Sequence, residues 1–312
     1  MNTACAPGKI ILLGEHAVVY GRPALAVPVR QVKACAHLVP AAAGGENQIL
    51  LEAPVLGFSL WLHEAPPDHP LAAICTAALD ALRPPPFPAL RLTVESTIPI
   101  ASGLGSSAAV SVAVARALNE RFGGSLTTAE ISELAYQVEV IHHGTPSGID
   151  NTVIAFDRPV FFIRGQSPEP LSIGAPFHLV IGDTGIPAPT AHAVGLVRQR
   201  WQADPAALDS AFDSIAALVV QARLAVVEGD FARLGSCMNS DHALLVELGV
   251  SSPELDRLVQ AAGRAGALGA KMSGGGLGGN MVALVAPDRI EAVTRTLEQA
   301  GAAGILHTEV AP

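Results

Sequence analysis

Residues 99–109 read Pro-Ile-Ala-Ser-Gly-Leu-Gly-Ser-Ser-Ala-Ala, a spacing that suits a phosphate ligand. Gly103 and Gly105 carry no Cβ, so the backbone there can approach a ligand closely. Ser106 and Ser107 bring hydroxyls to the point where an uncharged, Ala/Val-rich run begins a helix. Free amides and the positive end of the helix dipole then form a seat for phosphate. Several phosphate-binding designs compete for such a loop. A Walker A loop ends in Gly-Lys-Ser/Thr, which is missing here. Gly103-x-Gly105-x-x-Ala108 fits the dinucleotide fingerprint, and Gly274-x-Gly276-x-x-Gly279 fits it formally. That fingerprint also requires a helix followed by a second parallel strand ending in an acidic residue. The first run leads through Gly123-Gly124 into another helix, and the second precedes a strand-like run, so both dinucleotide readings are weak.

The elements that must hold this loop follow from hydrophobic period. Leu90, Leu92 and Val94 alternate with Arg91, Thr93 and Glu95, which predicts a strand leading into the loop. The helix after the loop is expected over 106–122, and Gly123-Gly124 stops it. Thr127 and Glu130 have capping-box spacing and start the next helix. Its apolar face is Ile131, Leu134, Ala135, Val138 and Ile141, and it ends in a Gly144-Thr-Pro-Ser-Gly148 turn. Further strands are expected at 9–13, 24–29, 160–164, 178–181 and 281–285. Further helices are expected around 191–201, 205–228, 231–248, 253–265 and 290–299. Strands mixed with helices in both halves give an α+β class. A Pro/Gly/Ser-rich stretch at 165–176 suggests two domains, 1–170 and 171–312.

Composition bounds the function. Of 312 residues, 50% are hydrophobic and 15% charged, enough for a sizeable core, and only 4% are aromatic. A net charge of −9 argues against nucleic acid as a partner. No leader peptide and no membrane-spanning segment is expected, because Asp213, Gln221 and Arg223 interrupt the most apolar window. Cys5, Cys35, Cys75 and Cys237 lack zinc-ligand spacing, and all four are expected as free thiols in a reducing cytoplasm.

Three stretches together resemble the signature motifs of the GHMP kinases. They are Ala6-Pro-Gly-Lys-Ile-Ile-Leu-Leu-Gly-Glu-His-Ala-Val-Val-Tyr-Gly21, the Gly-Leu-Gly-Ser-Ser loop, and Lys271-Met-Ser-Gly-Gly-Gly-Leu-Gly-Gly279. The Gly-Glu-His-Ala-Val-Val-Tyr-Gly-x-Pro-Ala part and the segment from Glu139 to Asp150 are similar to the mevalonate kinases within that family. The resemblance implies a two-domain fold, with an N-terminal domain like domain 2 of ribosomal protein S5 and a ferredoxin-like C-terminal domain. It implies transfer of the γ-phosphate of ATP to the C5 hydroxyl of (R)-mevalonate, with Mg²⁺, in isoprenoid biosynthesis. It also implies a homodimer.

Residue by residue, the resemblance makes Asp150 the base for the acceptor hydroxyl and Lys9 the cation beside it and the γ-phosphate. ATP would be held by Lys9, Pro99, Ala101, Ser102, Gly103, Leu104, Gly105, Ser106, Ser107, Ala108 and Ala109, with Gly274, Gly275 and Gly276 closing over the phosphates. Glu139 and Ser107 would hold the metal, with Ser106 the other serine available. Glu15, His16, Thr190 and Asp150 would line the acceptor pocket. Each has a plainer role available: Asp150 a helix cap, Lys9 a solvated strand start, Glu139 a surface carboxylate, His16 a structural histidine, the glycine cluster a turn. Leu277 and Asn280 depart from the glycines and small residues common in the third motif. Competing functions are a phosphomevalonate kinase, a catalytically dead sensor, and a nicotinamide oxidoreductase. The first should carry extra basic residues, yet none occurs between Arg121 and Arg158.

Overall fold

A computed structural model describes residues 2–99, 103–143, 146–187 and 189–311, with His142 and His143 described in backbone only. Two compact units emerge, and the chain passes between them repeatedly. One comprises Met1–Gly8, Val32–Pro99 and Gly105–Asp157; the other comprises Lys9–Gln31, Ile100–Leu104 and Arg158–Pro312. The division expected at 170/171 presumed a single crossing. The structure differs because two long strands, β1 (Asn2–Leu13) and β2 (Ala24–Pro40), contribute to both units.

In the first unit, β3 (Ile49–Ala53), β4 (Phe58–Trp61), helix α1 (Pro70–Leu82) and β5 (Leu90–Ser96) follow. The strand order is β4-β3-β5-β2, with β3 and β5 parallel and the other pairs antiparallel. Strand β5 buries Leu90, Leu92 and Val94 and exposes Arg91, as its period of two requires. Helix α2 (Ser106–Arg121) packs against α1 and α3 (Thr128–His143), and α4 (Ile149–Phe156) closes the layer. Helix α2 is buried nearly all round, which its small side chains permit. The capping box forms: Glu130 Oε2 accepts from the Thr127 amide at 2.7 Å, and Thr127 Oγ1 accepts from the Glu130 amide at 3.3 Å. The Arg116 guanidinium donates to the carbonyls of Cys5 (2.8 Å) and Ala155 (2.7 Å), tying β1 to the end of α4.

The expectation of four free thiols is corrected here. Cys5 on β1 and Cys35 on β2 form a disulfide, and only Cys75 and Cys237 are free and buried. Pairing of the two strands brings the Cα atoms to 4.1 Å although 30 residues separate them. Sequence spacing carries no sign of that pairing.

In the second unit, β6 (Val160–Phe162) pairs with residues 24–26 of β2, and β7 (Glu169–Pro170) with β6. Then come β8 (Phe177–Asp183), α5 (Thr190–Ala203), α6 (Pro205–Glu228), α7 (Phe231–Glu247) and α8 (Pro253–Arg264). The chain finishes with β9 (Gly269–Ser273), β10 (Asn280–Val285), α9 (Ile290–Gln299) and β11 (Gly304–Val310). Strands β8 to β11 make an antiparallel sheet in the order β11-β8-β10-β9. With helices after its first and third strands, this is the ferredoxin-like arrangement. Among the described residues α6 alone is long and apolar enough to cross a membrane. Here it packs on α7 and buries Phe212, Ile215, Val219, Ala222 and Val226 along one face, while Val220, Leu224 and Val227 stay exposed. Asp204, Asp230 and Ser252 cap α6, α7 and α8 through the amides of Ala207, Arg233 and Leu255.

Candidate active site

The first glycine loop is a helix start stripped of side-chain caps. Gly105 is the N-cap residue of α2 at φ 77°, and Gly103 is left-handed at φ 75° with open space where a Cβ would lie. Both backbones are ones that L side chains resist. Among the described residues no side chain caps α2, which leaves its first-turn amides to suit an anion, with Ser106 and Ser107 half-buried beside them. Leu104, Ala108 and Ala109 are buried, so only their backbone could serve a ligand. Pro99 is exposed; Ala101 and Ser102 lie outside the described residues. Lys9 sits on β1 at 3% exposure, and its amide donates to the Leu104 carbonyl at 3.0 Å, tying the strand to the loop. A lysine buried to that degree is no solvated strand start.

Asp150 is the second residue of α4, one past Ile149, and Gly148 at φ 91° is the N-cap. The helix-cap role is therefore not the one Asp150 takes. Its surroundings are rigid: Asn151 Nδ2 donates to Ser132 O (3.0 Å) and Oγ (2.9 Å), and Thr152 Oγ1 to Gly148 O (2.6 Å). Glu139 is 7% exposed on α3, so it is not a surface carboxylate.

The second unit gathers the other candidates. Gly14, at φ 100°, would press a Cβ to 2.6 Å from Ala24 Cα, so only glycine fits. Glu15 and His16 follow, 1% and 5% exposed. The Nε2–H of His16 donates to the Gly275 carbonyl at 3.0 Å. Thr190, at the start of α5, lies against Gly275: a Cβ built there would be 3.1 Å from Thr190 Cα. Thus Glu15, His16, Thr190 and Gly275, far apart in sequence, come together. Burial, reinforced by the Lys271 charge and opposed by the Gly275 bond, pushes His16 down to about 4 and keeps it neutral.

Gly274 to Gly279 form the turn between β9 and β10, with five of six residues left-handed. Leu277 takes φ 61°, the conformation a glycine would adopt without strain. The turn is fixed where the Leu277 amide meets the Val250 carbonyl at 2.8 Å and the Gly279 amide meets Ile186 O at 2.9 Å. Lying in a hairpin, it cannot be a dinucleotide fingerprint, and α2 runs into α3 instead of a strand, which removes the other such match.

Comparison with known proteins fits this geometry. The family model for the GHMP kinases N terminal domain matches residues 71–157, and that for the GHMP kinases C terminal matches residues 222–303. A mevalonate kinase of Thermococcus sibiricus is 36% identical, covering 96% of this chain and 93% of its own. One of Pyrococcus furiosus is 35% identical over the same shares. The chain belongs to the mevalonate kinase family of the GHMP kinases. Among solved structures, L. major mevalonate kinase in complex with R-mevalonate matches with TM-score 0.83 and 31% identity, covering 100% of this chain and 96% of that one.

A GHMP kinase handles ATP, and such phosphoryl transfer generally needs a divalent metal. The donor set here suits a hard cation: a buried carboxylate, Glu139, and a half-buried hydroxyl, Ser107. No group of three or more His, Cys, Asp or Glu that could hold a metal occurs among the described residues. Sequence reasoning missed two residues of this family member's second unit. Lys271, quoted in the third motif without a role, is fully buried and bonds Glu15 Oε1 and the Met272 carbonyl. Asp241 on α7 is fully buried with Oδ2 3.4 Å from the Lys271 ammonium. A lysine inside an apolar run, Gly269-Ala-Lys-Met, was the available signal for the first; Asp241 gave none.

Proposed function

We infer that this protein phosphorylates (R)-mevalonate at its C5 hydroxyl, using ATP and Mg²⁺, and so supplies isoprenoid biosynthesis. The observation that carries the reading is the convergence of Glu15, His16, Thr190 and Gly275, which joins the first motif to the third around one wall. Neutral His16 suits an acceptor wall, because its Nε2–H is spent on Gly275 and Nδ1 remains as an acceptor for a hydroxyl.

Asp150 takes the proton of the C5 hydroxyl, and the rigid start of α4 aims it. Lys9 offers an ammonium to the γ-phosphoryl as charge builds on the attacking oxygen. The amides of the 103–107 loop and the 274–276 turn hold the triphosphate. Glu139 and Ser107 would hold the Mg²⁺, which neutralises phosphate charge when bound. Glu15 acts from behind His16, through its bond to Lys271.

The homodimer and the cytoplasmic location belong to the same proposal; sedimentation and cell fractionation test them. The decisive assay is ADP release with Mg·ATP and, in turn, mevalonate, phosphomevalonate, homoserine and galactose. Turnover with mevalonate and not with the others is expected. Preference for phosphomevalonate would overturn the reading.

A further inference from the structure

The turn at 14–16 is held from one side by a cluster of charges with no solvent around it. Lys271, at 0% exposure, directs its ammonium at Glu15 Oε1 and the Met272 carbonyl, while Asp241 Oδ2 lies 3.4 Å away. Two acidic groups therefore share one cation. Glu15 has the better share, through a direct bond. Neither Asp241 oxygen has a hydrogen-bond partner among the described residues. A carboxylate buried without hydrogen bonds is costly, and the neutral acid is the cheaper form.

The next residue, His16, stands at φ 61°, an uncommon backbone for a side chain of its size. Such a conformation persists only where its surroundings enforce it. Two bonds do so, Glu15 to Lys271 and His16 to Gly275, and both come from the 271–275 stretch of β9 and its turn. Ser273 Oγ, donating to the Ile11 carbonyl at 2.8 Å, adds a third tie from that stretch to the strand before the turn.

We propose that Lys271 and Asp241 are positioning residues for acceptor binding: Lys271 fixes Glu15 and with it His16, and a proton on Asp241 sets the charge behind that wall. The proposal rests on the reading of His16 and Thr190, with Glu15 behind them, as the acceptor pocket. With Asp241 protonated, the Glu15–Lys271 pair is neutral and the ammonium is undivided. With Asp241 ionised, the cluster carries one net negative charge and Glu15 must share its cation. Both changes disfavour a carboxylate-bearing acceptor.

Burial, with help from the Glu15 charge and against the pull of Lys271, raises Asp241 to about 7, so the change falls in the neutral range. The groups facing it are Lys271 from β9, Glu15 from the turn, and Cys237 one turn away on α7, with His242 next to it in sequence. His242 Nε2 in turn lies 3.4 Å from Asp256 Oδ1 on α8. Burial and the Lys271 charge lower His242, with Asp256 opposing them. Helix α6, packed on α7, contributes an apolar stripe.

The test is steady-state kinetics of the wild type, Asp241→Asn and Lys271→Met through the neutral pH range, with acceptor and ATP varied separately. In the wild type the acceptor KM should rise roughly 5-fold or more as pH increases through the Asp241 titration, the lower end of ordinary coupling between sites. Asp241→Asn should hold KM low and flat, while KM for ATP follows neither trend. Lys271→Met should raise the acceptor KM at every pH. If that variant fails to fold, the Asp241→Asn profile alone decides. Mevalonate turnover with superimposable wild-type and Asp241→Asn profiles overturns the inference and spares the proposed function. A lost pH profile on a different acceptor from the panel overturns the function and spares the inference. A fall in kcat by the same factor at all pH, with unchanged profile shape, marks a merely structural role and also overturns it.

Discussion

His16 and Asp241 pull stability in opposite directions with pH. The His16 value falls from 6.5 to about 4 on folding, so the unfolded chain binds the extra proton between those values. Its contribution, about 3 kcal/mol by linkage, is present above pH 6.5 and lost toward pH 4. Asp241 rises from 3.8 to about 7, so its contribution is present in acid and lost as pH climbs through that window. The two nearly offset each other in the wild type. His16→Asn keeps a side chain that tolerates φ 61° and should leave stability falling as pH rises; Asp241→Asn should leave it rising. Urea unfolding of both variants at acid and neutral pH measures the slopes, and slopes of the same sign would refute the assignment. Asp150 makes a catalytic prediction at this scale. Its neighbours Asn151 and Thr152 carry the structural bonds of α4, so Asp150→Asn should fold normally. Loss of a general base costs roughly 10²–10⁴ in kcat, with ATP binding kept within several-fold. Near-normal kcat would remove Asp150 from the chemistry.

At the scale of elements, the turn between β9 and β10 separates two kinds of glycine. A Cβ on Gly276 would lie 1.9 Å from the Val250 carbonyl, whereas Gly274 faces open space; both are left-handed, at φ 80° and 89°. Gly274→Ala meets only backbone strain, about 1–2 kcal/mol. Gly276→Ala must also displace the chain at Val250, so it should lower the melting temperature further and raise KM for ATP more. Equal effects of the two would show that the Val250 contact does not hold the turn. Much of this scale was legible. The alternation of Leu90, Leu92 and Val94, the Thr127–Glu130 cap, and helices α6 and α9 follow from period and capping. Helix α1 was not, because its Ala, Leu and Ile residues leave no polar face to reveal a period. The second half of β2 hid similarly, since Ala34 and Ala36 alternate too weakly with Lys33 and His37. Nor does any pattern bring His16 to Gly275, 259 residues away; only the resemblance to a family related their motifs. Lys271 was hidden by its own burial, since a lysine in an apolar strand reads as an interruption until its partners are known.

At the scale of the molecule, family membership and the two-part α+β organisation followed from motif order, but the interleaving of the units did not. It depends on β1 and β2 running long enough to serve both, and strand length is poorly marked where alanine replaces larger residues. The Cys5–Cys35 disulfide lies on these two strands, in the part belonging to the first unit. It closes a loop spanning 30 residues, including the 14–16 turn that carries Glu15 and His16. Constraining such a loop in the unfolded chain is worth roughly 3–4 kcal/mol on the chain-entropy account. Cys35→Ser should therefore lower the melting temperature by several degrees, and reductant should do the same to the wild type while leaving Cys35→Ser unmoved. Thiol counting checks the bond itself. Denatured without reductant, the wild type should show the two thiols of Cys75 and Cys237, and four after reduction. Four thiols before reduction, or a wild-type melting temperature indifferent to reductant, would show that the strands hold their pairing by hydrogen bonds and packing alone.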